Sequence, residues 1–216
     1  MKVSASLLSS DLLNLEKEIE VLAEAGVSTL HIDIMDGHFV PNIAFGIDIV
    51  RQITKVSTLP INIHLMIDNP ERFIDLLSSP KIGYIIVHSE GNRDIKSLFG
   101  RIKANDVNIG IALNPQTQVM DIREYLEMVD MALVMGVHPG FGGQTLIPST
   151  LRKIKQLKDI RKDLVVGIDG GINDQTVSIV NPENPDILVV GSYLFNRDKD
   201  HELQDMREKL RILQGA

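Results

Sequence analysis

Eight short, β-rich apolar runs recur along the chain, each followed by a longer stretch of helical periodicity, and this alternation leaves few folds open. The runs are 3–8, 29–34, 61–66, 84–88, 108–113, 131–137, 164–169 and 187–190. Between them, a segment such as 12–25 sets Leu12, Leu15, Ile19, Leu22 and Ala23 on one stripe at helical spacing. Asp11, Asn69-Pro70 and Ser149 stand where N-terminal helix caps are expected. The stretches "AGVSTLHID", "KIGYIIVHS" and "NPDILVVGS" repeat one formula: a turn signal, a hydrophobic run, then a polar residue. The repeat is about 25 residues long, the size of one strand–helix unit. Eight such units in 216 residues close most simply into a (β/α)8 TIM barrel of the α/β class. An open doubly wound sheet would usually carry a G-x-G-x-x-G at its first turn, and "SLLSSD" has none. No low-complexity segment or long linker interrupts the pattern, so residues 1–216 read as a single barrel domain.

Charge narrows the function. A formal net charge of −7 without any Lys/Arg cluster argues against a nucleic-acid surface. Such a chain can still bind an anion, through local backbone dipoles or a metal. The absence of cysteine removes disulfide and thiolate chemistry. No apolar run reaches transmembrane length, and the N-terminus leads into the first strand-like run without a signal sequence, so the cytoplasm is the expected compartment.

In a (β/α)8 barrel, chemistry gathers at the C-terminal ends of the strands and in the loops after them. The polar residues of this sequence fall at that level. In "HIDIMDGHFVPN" alternate residues share a strand face, so His31, Asp33 and Met35 point one way and Ile32 and Ile34 the other. His64 and Met66 end the third run, His88 the fourth, and Asp169 the seventh. Each alone is as ordinary as a hydrogen-bonded core residue. Jointly His31, Asp33, His64 and Asp169 form a divalent-metal set, and imidazole with carboxylate suits Zn, Fe, Mn or Co better than Mg. The loops after runs six, seven and eight carry glycine: Gly140, Gly142 and Gly143, then Gly170 and Gly171, then Gly191 beside Ser192. Any one of these motifs is a tight turn; three in consecutive units, beside the metal set, point to a phosphate held by backbone N–H groups. "GSYLF" has the makings of a short extra helix there. Met35, Met66 and Met135 fit equally as barrel filling and as an apolar cover over reacting carbons. His88 reads as a residue behind the ligands, His38, His138 and His201 as loop or surface residues, and Asp36 as an anchor for its own loop.

The motifs "SLLSSD", "HIDIMDGHFVPN", "IHLMIDNP", "GIALNPQT", "VMGVHPGFGGQ", "GIDGGI" and "VGSYLF" resemble those of ribulose-phosphate 3-epimerases, in the same order and at similar spacing, from Ser6 to about Phe195. The resemblance implies an isomerase of carbohydrate metabolism in the pentose phosphate pathway. It would bind one divalent metal through His31, Asp33, His64 and Asp169, use Asp33 and Asp169 as the acid/base pair, and hold substrate or phosphate through Ser6, the glycine loops and Ser192. The implied reaction is C3 epimerisation of a ketose phosphate, D-ribulose 5-phosphate to D-xylulose 5-phosphate. Gly136 and His138 depart from the family's usual small hydroxyl residue and Asn, Asp or Glu; "HSEG" and "NPENPD" also depart. These changes leave open a six-carbon ketose such as D-allulose 6-phosphate. The expected partner is thus a small-molecule ketose phosphate, in a homo-oligomer, with neither nucleic acid nor membrane.

The chemistry fits the residue types. Inverting a carbon beside a ketone removes a proton from one face and returns one to the other, which takes two carboxyls across a planar enediolate, one ionised and one protonated. Three rivals fare less well. A phosphate-binding barrel decarboxylase would show D-x-K-x-x-D, and Asp33-Ile34-Met35-Asp36 has no lysine. A metal-dependent aldolase has only two acid/base candidates here. A non-catalytic sugar-phosphate sensor would be expected to have lost a ligand, and none is lost.

Overall fold

The computed structural model describes residues 1–91, 94–196 and 201–215; the parts of the expected single domain at 92–93, 197–200 and 216 lie outside them. Among the described residues, nine strands form one sheet. Eight are parallel and close on themselves: β1 (Lys2–Ser6), β2 (Thr29–Asp36), β4 (Ile61–Met66), β5 (Ile82–His88), β6 (Asn108–Leu113), β7 (Met131–Met135), β8 (Val165–Asp169) and β9 (Ile187–Val190). Closure is at β1, which pairs with both β2 and β9. The ninth, β3 (Ile43–Ala44), is a two-residue antiparallel appendage to the end of β2. This is a (β/α)8 barrel.

Strand parity builds two cores. Val3, Ala5, Ile32, Ile34, Ile63, Leu65, Ile85 and Val87 face outward and pack under the helices. Ile86, Ala112, Met131, Leu133, Met135, Ile187 and Val189 fill the barrel. The filling needs small residues opposite large ones: a Cβ on Gly110 would stand 2.6 Å from Ile86 Cγ1, and one on Gly167 2.6 Å from Met131 Cε. A third apolar group, Met35, Val40 and Met66 with Leu8 and Phe39 against it, caps the β2–β4 side of the mouth.

The outer layer is less regular than the periodicity predicts. Helices α1 (Leu15–Ala25), α2 (Ile47–Val56), α3 (Ile95–Ala104), α4 (Arg152–Ile160) and α7 (Glu202–Gln214) are full elements; α5 (Val177–Val180) and α6 (Ser192–Phe195) are single turns. After β4 and β6 the connection is made by 3-10 turns, Pro70–Arg72, Ile74–Leu76 and Val119–Tyr125. The expected cap at Asp11 belongs to a loop: its carboxylate accepts the N–H of Leu13 (3.1 Å) and the side-chain amide of Asn14 (2.8 Å), so α1 starts three residues late and Leu12 is exposed. Asn69-Pro70 opens a 3-10 turn, and Ser149 lies inside another, Pro148–Thr150, before α4. Asp94, not singled out in the sequence, caps α3 by accepting the Ser97 N–H at 3.2 Å. No helix among the described residues is long and apolar enough to cross a membrane.

Candidate active site

Pairing of β2 with β4 sets the centre. Asp33 is level with His64 and Met35 with Met66, all on inward-facing positions. Asp169 enters from the end of β8, three strands away through β9 and β1. His31 and His64 are fully buried in the floor, Asp33 is 4% exposed, and Asp169 is the most open of the four. His31 Nε2 lies 3.3 Å from Asp33 Oδ1 and 3.6 Å from Asp169 Oδ2. His64 Nδ1 lies 3.1 Å from Asp33 Oδ1 and 3.6 Å from Asp169 Oδ2. The two imidazole nitrogens are 3.4 Å apart. One ligand atom from each residue falls within 4.8 Å of all the others, so this buried group could hold a metal ion. The donor chemistry fits a divalent one: lone pairs of two rings and two carboxylates converge, and such a set needs a proton or a cation between its members.

The surroundings bias the two carboxyls in opposite directions. Burial alone would raise Asp33, but the His31 and His64 imidazoles outweigh it and hold the carboxyl well below the usual range. Asp169 is pushed up to about 7, chiefly by burial, against a pull from His31 and with a smaller push from the Asp33 charge. Burial disfavours the His31 cation, yet Asp33 and Asp169 raise this imidazole overall. His64 goes down to about 4, chiefly through burial.

A pocket opens above this floor. Its wall includes Ser6, Asp33, Met35, Met66, Met135 and Asp169, and its far side is built from Gly140, Gly142, Gly143, Gly170, Gly171, Gly191 and Ser192. Every residue singled out in the sequence as catalytic or binding therefore lies on the pocket wall, apart from His31 and His64 beneath it. Ser6 donates its hydroxyl to Asp33 Oδ2 at 2.7 Å, a contact to the carboxylate that the sequence did not suggest. The three methionines both fill space and line the pocket. Asp36 anchors its loop by accepting the N–H groups of His38 (2.8 Å), Phe39 (2.9 Å) and Asp68 (2.9 Å). Gly170 and Gly171 have φ of +100° and +72°, and a Cβ on Gly171 would sit 2.4 Å from the Leu146 backbone nitrogen. Gly136 also has a packing reason: its Cβ would meet Gly170 O at 2.6 Å and Leu146 Cδ1 at 2.8 Å. His138 lines the pocket, as do Leu8, Phe141, Gln144 and Asn173, which the sequence did not single out. "GSYLF" forms α6, as its pattern suggests.

A closed (β/α)8 barrel with paired His and Asp side chains at the floor of a glycine-walled mouth has the form of a barrel enzyme, its site at the C-terminal ends of the strands. Residues 2–195 match the model of the ribulose-phosphate 3 epimerase family. The chain belongs to that family, and it is an isomerase of the epimerase kind. It is 38% identical to the ribulose-phosphate 3-epimerase of Bacillus subtilis (96% of this chain, 98% of the relative). It is 39% identical to that of Methanocaldococcus jannaschii (92% and 86%) and 37% identical to that of Aquifex aeolicus (100% and 99%). Among solved structures, a mutant tryptophan synthase alpha-subunit from Pyrococcus furiosus superposes with a TM-score of 0.75 at 15% identity, covering 100% of this chain and 98% of that one. At that identity the likeness is one of fold alone.

Proposed function

We propose that this chain interconverts D-ribulose 5-phosphate and D-xylulose 5-phosphate by proton transfer at C3, with a divalent metal ion held by His31, Asp33, His64 and Asp169. The observation that carries this reading is the convergence of four ligand atoms within 4.8 Å on a floor flanked by two carboxyls of opposite bias. Asp33, held as carboxylate, is suited to take a proton. Asp169, raised to about 7, is suited to carry the proton returned to the opposite face. Ser6 fixes the Asp33 rotamer through its hydrogen bond to Oδ2. When bound, a divalent ion would polarise the ketone oxygen and offset the charge of the enediolate by several kcal/mol. Met35, Met66 and Met135 would lie against the carbon skeleton and keep water from it. Backbone N–H groups of the loops bearing Gly140, Gly142, Gly143, Gly170, Gly171, Gly191 and Ser192 would hold the phosphate, as an acidic chain requires.

The test is a coupled assay of the purified protein on ribulose 5-phosphate and allulose 6-phosphate, before and after chelation. Activity should be lost with the metal and restored by one of Zn, Fe, Mn or Co. Asp169→Asn that retains its metal should epimerise about 10²–10⁴-fold more slowly. Full turnover in protein shown by elemental analysis to be metal-free would overturn the metal assignment. A preference for allulose 6-phosphate would move the substrate to six carbons.

A further inference from the structure

His64 has a second ring nitrogen that the proposed chemistry leaves unused. Nε2 points away from Asp33 and lies 2.9 Å from His88 Nε2, at the end of β5. The other nitrogen of that ring, His88 Nδ1, lies 3.2 Å from Glu90 Oε2. Glu90 is held in turn by the loop after β6: its Oε1 accepts the Asn114 backbone N–H at 2.8 Å and the Thr117 hydroxyl. His88 is 3% exposed, and Phe39 packs on it with ring centroids 4.7 Å apart. The row runs from the floor of the site to Glu90 without a gap. His31 has nothing comparable, since its Nδ1 is buried with no hydrogen-bond partner among the described residues.

We propose that Glu90 is a positioning residue which, through His88, fixes the tautomer of His64 and so aims the His64 Nδ1 lone pair at the metal. The inference rests on reading His31, Asp33, His64 and Asp169 as a metal site. Its logic is one of donors and acceptors. A carboxylate accepts and cannot donate, so the His88 nitrogen facing Glu90, Nδ1, carries a proton. A His64 that ligates through Nδ1 keeps its own proton on Nε2, and that N–H requires a bare Nε2 on His88. Both requirements agree on one arrangement: Glu90 carboxylate, His88 with Nδ1–H, His64 with Nε2–H. Burial would raise Glu90, yet its bonds from His88, Thr117 and Asn114 pull it down to about 2, so the row ends on an ionised group. An anionic terminus of this kind makes the ligating imidazole more basic and holds its ring plane.

Glu90→Gln separates this role from simple packing because it keeps the shape and changes the donor pattern. The Asn114 N–H and the Thr117 hydroxyl will hold the new amide oxygen at the Oε1 position, which turns the NH2 toward His88 Nδ1–H, donor against donor. The experiment measures zinc affinity by chelator competition for wild type, Glu90→Gln and Thr117→Val. It also records nitrogen-15 spectra of the histidine rings in zinc-loaded wild type. We expect Glu90→Gln to bind zinc about 10–100-fold more weakly, Thr117→Val, which keeps the carboxylate and its Asn114 bond, to lose less, and His88 to carry its one ring proton on Nδ1. Unchanged zinc affinity in Glu90→Gln or a His88 proton on Nε2 would each overturn the proposal. If Glu90→Gln does not fold, the wild-type ring spectrum decides alone. Wild type that binds no zinc would overturn the metal reading instead. The relay is then judged from His88 in the same spectrum without metal, where a lone ring proton on Nε2 overturns it.

Discussion

Asp33, Asp169 and Glu90 are three carboxyls in one barrel mouth, and their neighbours give each a different resting state. Glu90 offers the cleanest measurement because it touches none of the four clustered ligands. Its pKa in the folded protein is about 2, against an ordinary value of 4.5. A depressed carboxyl stabilises the fold above its unfolded pKa, and that contribution is lost as pH falls toward the folded value. The stability difference between wild type and Glu90→Gln, both metal-free, should therefore be largest at pH 7. It should shrink by on the order of 2 kcal/mol by pH 3. Asp33 also contributes acid sensitivity, but it is present in both proteins and cancels. Urea unfolding at the two pH values checks this; a gap that does not change with pH would show that Glu90 contributes through packing and not through its charge.

Elements were legible in the sequence to the extent that a repeating pattern determines them. All eight barrel strands begin and end within two residues of the apolar runs, since a parallel strand buried on both faces reads as a continuous apolar run. β5 starts two residues earlier than its run because Gly83 is an extra residue in the register between β4 and β5, a bulge that breaks alternation. Helical periodicity was less dependable. Leu12 fits the α1 stripe by spacing, yet the Asp11 turn takes residues 11–14 out of the helix, leaving Leu13 94% exposed. Leu13→Ser should therefore change stability by no more than about 0.5 kcal/mol, whereas Leu22→Ala, in the buried face of α1, should cost about 2–5 kcal/mol. Chemical denaturation of the two variants tests the boundary, and a large loss for Leu13→Ser would place it back in a packed helix. At the site, strand alternation was enough to find His31 and Asp33, and strand ends were enough to find His64 and Asp169. Ser6 on Asp33 and Glu90 behind His88 depend on which strands lie side by side, a fact of register that no local pattern carries.

At the scale of the whole molecule, the barrel's closing strand and its last helix depend on each other. β1 joins β2 to β9 and delivers Ser6 to Asp33, so the seam of the barrel runs next to the site. Over that seam lies α7, packed against α1 and β1. It buries Met206, Leu210 and Leu213, and its end is tied down by Asn181, whose side-chain amide donates to Leu213 O at 3.2 Å. α7 lies outside residues 2–195, which match the family model, so the matched motifs do not contain everything the fold uses. Burying three such side chains is worth about 1.5–3 kcal/mol each, or about 5–9 kcal/mol together. That is comparable with the whole stability of a typical domain, about 5–15 kcal/mol. A chain ending at residue 196 should therefore lose its cooperative urea transition, or show it at a much lower midpoint. The zinc site should weaken in parallel, because the strand that fixes Asp33 is the one left uncovered. A truncated chain that unfolded at the wild-type midpoint and kept its zinc affinity would show that α7 is dispensable, and that the seam at β1 is held by strand pairing alone.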